Sequence, residues 1–203
     1  MLNTHVRILA LCATLLPAAA ASGVWRAPLE LQPESRLWIA GTSTVRSFRC
    51  SATSFDAKVE APAASAVASV LAGEKSVGAI ALSIPADSLD CRNGTMNEHM
   101  LKALKAAAFP VITFRTSSYD LVRGDEGMQV QMNGTLTLGG VEKTITVQAQ
   151  AKAGEGGKLH VAGTYALKMT DYGLKAPKLM LGTMRVNENV TVGFDIVLKD
   201  RAE

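Results

Sequence analysis

Hydrophobic and polar residues alternate along the stretch Gly127–Ala153. Apolar side chains take the even positions of Met128–Leu138 and the odd positions of Ile145–Ala151, with mostly polar residues between them. Period two over this length is typical of paired strands with one apolar face and one polar face. Between the two halves, Gly139-Gly140 predicts a tight hairpin turn, because glycine tolerates positive φ. A lone hairpin is marginally stable in water, so its apolar face must pack against more sheet.

Six further segments are extended or alternating, which brings the expected number of antiparallel strands to eight. These segments are Leu37–Val45, Phe48–Glu60, Val77–Ile84, Val111–Arg123, Leu159–Met169 and Asn189–Lys199. Eight strands can close into a barrel just wide enough to hold one small ligand. Strands of ten or more residues would make such a barrel roughly 30 Å long. A packed two-sheet sandwich is the alternative that the pattern leaves open.

One helix is expected between the third and fourth strands. Thr95 and Glu98 fit a capping box, with Thr95 as the N-cap, and apolar residues recur at helical spacing over Met96–Leu104. Pro110 prevents the helix from continuing. The long connection Ala61–Lys75 is rich in alanine and serine, and we expect a short helical turn within it, around Ala66–Leu71.

The first 21 residues resemble a secretory signal peptide. A short basic start, His5 and Arg7, precedes the apolar run Ile8–Leu16, which is too short to span a membrane. Ala19-Ala20-Ala21 supplies small residues for cleavage before Ser22. We therefore expect a signal peptide over 1–21 and a single exported domain over 22–203, with no stable membrane anchor. The alternative is a buried helix of the fold.

Removal of the signal peptide would leave two cysteines, Cys50 and Cys91, because Cys12 lies within it. An even pair of cysteines in an oxidising compartment favours a disulfide. Two buried free thiols are the alternative.

Composition and motifs give little support for nucleic-acid binding or catalysis. The 203 residues carry a net charge of +3, and no Lys/Arg stripe with interleaved aromatics is present. The sequence contains no Gly-x-Ser-x-Gly, no His-Glu-x-x-His and no phosphate-cradling glycine loop. His99 and His160 lack the spacing of a ligand pair, so we expect no metal site and no catalytic residues. A haem or metal role for His99 on the helix is the weaker alternative.

Four segments together resemble the YceI-like family. They are LWIAGTSTV (37–45), MNEHMLKALKAAAFP (96–110), GTLTLGGVEKTITV (134–147) and MTDYG (169–173). Their order and spacing carry the resemblance, which covers about Ser35 to Lys199. Many members of the family have an arginine where this chain has Met169, so the resemblance gives no polar role to that position.

The resemblance implies an all-β, eight-stranded, extended lipocalin-like barrel exported to the bacterial periplasm. It also implies that the barrel holds a long amphiphile, such as a polyisoprenoid, an isoprenoid quinone or a fatty acid derivative, and that the chain forms a homodimer. Apart from such a guest we expect no cofactor. The alternatives are a quinone- or haem-linked redox accessory or enzyme, and a structural stress protein with a filled barrel.

A cavity requires that the apolar faces do not fill the interior. Small inward residues leave volume, and such residues occur at Gly41, Ser43, Ala149, Ala151 and Gly163. The residues expected to contact the guest are Ile39, Phe55, Phe114, Met132, Leu136, Val147, Tyr165, Val192 and Phe194. Plain packing of a β core is the alternative interpretation of the same residues.

Overall fold

The structure is a computed structural model that describes residues 29–60, 65–179 and 183–201. The expected signal peptide over 1–21 lies outside the described residues. In the described part of the chain the α-helices are Ala66–Ala72 (α1) and Gly94–Ala103 (α2). The strands there are Leu29–Leu31 (β1), Arg36–Thr42 (β2), Ser47–Ala52 (β3), Asp56–Val59 (β4), Ile80–Pro85 (β5), Leu89–Asp90 (β6), Val111–Gly124 (β7), Gly127–Leu138 (β8), Val141–Gly154 (β9), Lys158–Lys168 (β10), Lys178–Leu179 (β11), Met184–Arg185 (β12) and Asn189–Asp200 (β13).

The alternating stretch at the centre of the sequence forms the hairpin β8–β9, as predicted. Leu138 pairs with Val141, so the loop between the strands is the two residues Gly139 and Gly140. Both glycines have positive φ, 57° and 82°. A two-residue turn with positive φ at both positions matches the right-handed twist of the flanking strands. This turn fixes the register that keeps the apolar side chains of both strands on one face.

Eleven strands belong to one antiparallel sheet, in which neighbours follow the order β4-β5-β7-β8-β9-β10-β13-β2-β3-β6, with β1 paired to the end of β13. At one end of this path β4 pairs with β5, and at the other end β3 pairs with β6. Because β4 follows β3 in the chain and β6 follows β5, the two ends of the path lie next to each other. The backbone N–H of Thr53 donates to the Ser88 carbonyl oxygen at 2.8 Å across the junction. The sheet therefore curls into a barrel, and we call the β3/β4–β5/β6 junction the seam.

The all-β barrel predicted from the sequence is confirmed, with a different count of strands. The predicted second strand is interrupted between Ala52 and Asp56, and the third continues into β6 only after a 3-10 turn at Ala86–Ser88. If each interrupted pair counts as one strand, eight strands follow one another around the barrel. The additional short strands are β1, β11 and β12.

The helices also differ from expectation. The helix between the third and fourth strands is α2, but its N-cap is Asn93, whose Oδ1 accepts from the Met96 backbone N–H at 2.9 Å. The predicted Thr95 cap is wrong by two residues, because Asn93 is as good a cap as threonine and lies in extended backbone. A second helix, α1, forms where a short helical turn around Ala66–Leu71 was expected, and it is capped at its end by Gly73 with φ 87°.

Two buried clusters close the two ends of the barrel. At one end, which we call the floor, the buried face of α1 (Ala66, Val67 and Val70) packs among Met128, Val130, Ala149 and Ala151. At the other end, which we call the mouth, Leu104, Leu138, Met169, Tyr172 and Leu174 form the second cluster. Among the described residues, no helix is both long and apolar enough to cross a membrane.

Candidate ligand-binding cavity

A cavity of about 520 Å³ runs through the barrel between the floor and the mouth. This volume lies within the range of roughly 300–1,000 Å³ that is usual for small-molecule sites. Alternate residues of β13 from Val190 to Leu198 face it. Eight residue steps along a strand correspond to about 26 Å. The cavity is therefore long and narrow, a shape that suits an extended chain better than a compact ligand.

Eight of the nine residues predicted to face a guest line this cavity: Ile39, Phe114, Met132, Leu136, Val147, Tyr165, Val192 and Phe194. Phe55 does not line it. Phe55 lies in the interruption between β3 and β4, where alternation of faces is lost, and it packs against the cluster at the mouth. Its assignment as a cavity residue is corrected accordingly.

The cavity stays open for a reason that differs from the one expected. Ala149 and Ala151 are buried in the packing at the floor and do not line the cavity. Gly41 and Gly163 do not line it either, since aromatic rings cover them. A methyl group on Gly41 would lie 2.6 Å from the Phe48 ring, and one on Gly163 would lie 2.7 Å from the Phe194 ring.

Each of these rings lies across a glycine on the neighbouring strand. Gly41 pairs with Phe48 between β2 and β3, and Gly163 pairs with Phe194 between β10 and β13. Phe114 has the same relation to Gly134, diagonally across β7 and β8. A ring that lies against the wall cannot extend toward the barrel axis. The glycines therefore leave volume by accommodating phenylalanine rings, not by facing empty space.

Helix α2 covers much of the mouth. Its start is bonded to the wall, because the disulfide between Cys50 of β3 and Cys91 joins residues 41 apart in sequence. The predicted disulfide is therefore confirmed. The far end of α2 lies over the β8–β9 turn, where the Leu104 carbonyl oxygen approaches Gly139. Met96, Met100 and Ala103 of α2 face the cavity.

Polar side chains reach the cavity mainly at the mouth. They are Ser43 and Arg46 in the β2–β3 turn, and Asn93, Thr95 and His99 on α2 or just before it. The backbone of Arg46 is held by Ser43, whose Oγ accepts from the Arg46 N–H at 3.1 Å and donates to its carbonyl oxygen at 2.9 Å. Arg46, Asn93 and Thr95 are exposed. The cavity therefore reaches solvent here.

Ser43, expected as a small inward residue, does line the cavity, whereas sequence reasoning missed the other mouth residues and several apolar ones in the wall. Leu37 shares the face of Ile39, and Met100 follows from the helical spacing, so both were within reach of the pattern. Arg46, Asn93 and His99 gave no such signal, because turns and a helix crossing the mouth follow no sheet periodicity.

The two histidines of the described chain lie far apart in the architecture. His99 faces the mouth of the cavity, while His160 lies on β10 with its Nδ1 3.4 Å from the Asp195 carboxylate on β13. Both side chains of this second pair are about 40% exposed. No group of three or more His, Cys, Asp or Glu side chains that could hold a metal ion occurs in the described residues.

Perturbed ionisable groups fall outside the cavity wall. Burial raises the pKa of Tyr172 to about 12, with smaller contributions from the neighbouring Tyr165 and Asp171. Hydrogen bonds from lysines lower the pKa of Glu34 (from Lys158) and of Glu126 (from Lys152), both on the surface. The wall therefore offers shape and apolar surface more than acid–base chemistry.

An antiparallel barrel with a long apolar cavity has the architecture of a protein that can hold a ligand in its interior. The comparison with protein families agrees. Residues 33–198 match the model of the YceI-like domain, and the chain belongs to that family. A comparison with curated protein sequences found no match.

Solved structures with the same fold come from several bacteria. Burkholderia cenocepacia BcnA is 19% identical, with a TM-score of 0.64 over 83% of this chain and 99% of that one. A polyisoprenoid binding domain from Saccharophagus degradans is 16% identical, with a TM-score of 0.64 over 87% of this chain and 100% of that one. The Campylobacter jejuni YceI protein is 18% identical, with a TM-score of 0.54 over 95% of this chain and 100% of that one. At these identities the likeness establishes the fold.

Proposed function

We propose that the protein is a carrier in the bacterial periplasm that holds a long-chain amphiphile, such as a polyisoprenoid, an isoprenoid quinone or a fatty acid derivative, without covalent chemistry. The observation that carries this proposal is the long apolar cavity with polar side chains at the mouth. An amphiphile would place its chain along the cavity and its polar end at the mouth. The Saccharophagus degradans relative, described as a polyisoprenoid binding domain, supports the same class of guest.

Burial of the chain would supply the affinity. Each Å² of apolar surface removed from water stabilises a complex by about 25 cal/mol before the costs of association are subtracted. The aliphatic and aromatic wall offers few directional contacts, so the affinity would depend more on the length of the guest's hydrocarbon chain than on its substituents. The export compartment is supported by the disulfide, since disulfides persist where the environment is oxidising.

The cavity also favours a carrier over a structural protein with a filled barrel. A filled barrel would have side chains meeting along the axis, whereas the phenylalanine rings here lie across glycines of the wall. A redox accessory that uses an isoprenoid quinone would bind it in this same long apolar space. A quinone guest therefore falls within the proposed ligand class.

The test is native lipid extraction followed by mass spectrometry of the chain from Ser22 onward. The delipidated protein is then titrated with the neutral apolar fluorophore N-phenyl-1-naphthylamine. Val147→Trp fills the cavity from its wall, and Thr146→Trp places the same ring on the outer face of the same strand. We expect uptake by the wild type and by Thr146→Trp, with strong loss in Val147→Trp. An empty protein that takes up no probe would contradict the proposal.

A further inference from the structure

We infer that the mouth selects amphiphiles with an anionic head group, a carboxylate or a phosphate, and that Arg46 and His99 make this selection. The inference rests on the proposed function, since it assigns a head group to the same guest. It is carried by the distribution of polar and charged side chains around the cavity.

Charge in the cavity wall has one sign. Arg46 is the one permanently charged residue among the described residues that line it, and no aspartate or glutamate does. The other polar groups at the mouth are the neutral side chains of Ser43, Asn93 and Thr95, together with His99. A cationic head group would find no carboxylate to pair with, whereas an anionic one would meet a guanidinium.

The guanidinium of Arg46 is available for such a partner. The backbone of Arg46 is fixed by Ser43, yet its side chain has no hydrogen bond or ion pair with any of the described residues. By contrast, Arg49, three residues along the chain, places its guanidinium 4.7 Å from the centre of the Trp38 ring and does not line the cavity. Guanidinium suits this role because its planar fork matches carboxylate and phosphate oxygens.

The two acidic residues that adjoin α2 or lie within it, Asp90 and Glu98, do not line the cavity. The Asp90 carboxylate accepts from the Asn97 side chain at 2.8 Å and from the Arg92 backbone N–H at 2.9 Å. Glu98 adjoins His99 in sequence but does not line the cavity, because successive helix residues face different directions. The first turn of α2 contains no acidic residue. An anion at the mouth would therefore not face a competing carboxylate from α2.

The test compares guests with the same chain and different ends. Hexadecanoate, hexadecyl phosphate, hexadecanamide and hexadecylamine compete with N-phenyl-1-naphthylamine in the delipidated protein at low salt, and acetate and inorganic phosphate test whether free anions suffice. We expect both anionic guests to bind about three- to fivefold more tightly than the amide, the size expected for one partly exposed ion pair. The preference should shrink as salt is raised. Free anions should not bind, because they lack the chain.

Three variants assign the preference to its residues. Arg46→Gln should remove most of it and Arg46→Glu should reverse it, while His99→Leu should weaken it by removing a hydrogen-bond donor. Arg49→Gln is the matched control and should leave it unchanged. Each variant is first shown to keep the thermal midpoint and the fluorophore affinity of the wild type. Equal binding of all four guests, or a preference that survives Arg46→Glu, would overturn the inference while leaving the carrier intact. Failure of every guest and of the fluorophore would instead contradict the proposed function.

Discussion

The disulfide between Cys50 and Cys91 yields a stability prediction that can be worked from the structure. The perturbation is the double variant Cys50→Ala/Cys91→Ala in the chain from Ser22 onward. The bond closes a loop between residues 41 apart in sequence. In the chain-entropy model, closing a loop of this length lowers the entropy of the unfolded chain enough to stabilise the fold by about 4 kcal/mol.

Such a loss is large compared with the total stability of an ordinary domain, about 5–15 kcal/mol. For a domain of 150–250 residues, 1 kcal/mol shifts the thermal midpoint by about 2–4 °C, so we expect a fall of roughly 8–16 °C. The folded state loses little direct packing, because alanine keeps the β-carbon of each residue. The effect should therefore come mainly from a freer unfolded chain.

Urea unfolding followed by circular dichroism measures the free energy directly. The wild type is measured with and without dithiothreitol, and the reduced wild type should match the double variant. The double variant itself should not respond to the reductant. A free-energy difference below about 1 kcal/mol would refute the argument from loop closure. A reductant effect of similar size in the double variant would show that the loss has another cause.

Three further substitutions test the wall and the core. Phe194→Asp should cost several kcal/mol, because it places an unpaired charge on the apolar wall; an unchanged thermal midpoint would mean that this face of β13 is wrongly assigned. Gly41→Ala should displace the Phe48 ring into the cavity, costing about 1–3 kcal/mol and weakening uptake of a sixteen-carbon guest; full uptake would contradict the role of the glycine. The Tyr172 hydroxyl is buried beside Tyr165 but makes no hydrogen bond of normal geometry with any described residue, so Tyr172→Phe should be neutral or stabilise by about 1 kcal/mol. Because its folded pKa is raised to about 12, the wild type should lose stability as pH rises from about 10 to 12, and Tyr172→Phe should lose less over that window in urea titrations.

Alternation and turn chemistry made much of the wall predictable. The β8–β9 hairpin follows from period two and from a glycine pair whose positive φ few other residues tolerate. The inward faces of β2, β10 and β13 follow from the same period, and eight of the nine predicted cavity residues lie on the wall. The pairing of Cys50 with Cys91 followed from their number and from the expected compartment.

The remainder depends on contacts that local patterns do not record. Phe55 was misplaced because the chain leaves strand geometry between β3 and β4, where counting by twos fails. Thr95 was chosen as a cap although Asn93, equally suited, starts the helix two residues earlier. Arg46 reaches the cavity from the β2–β3 turn, where strand alternation no longer tells which way a side chain points. The seam, too, is not visible in the pattern, because it forms where two interrupted strands, β3/β4 and β5/β6, pair with each other and close the wall.

Because phenylalanine rings lie across glycines of the wall, the width of the cavity can be changed at one glycine–phenylalanine pair at a time. Gly41 with Phe48 and Gly163 with Phe194 each join two adjacent strands, and each pair narrows the passage by the thickness of one ring. Exchanging the aromatic member for leucine or valine would change the local width without altering a backbone hydrogen bond. The same scaffold could thus be fitted to slender or bulky tails while its strand pairing stays intact.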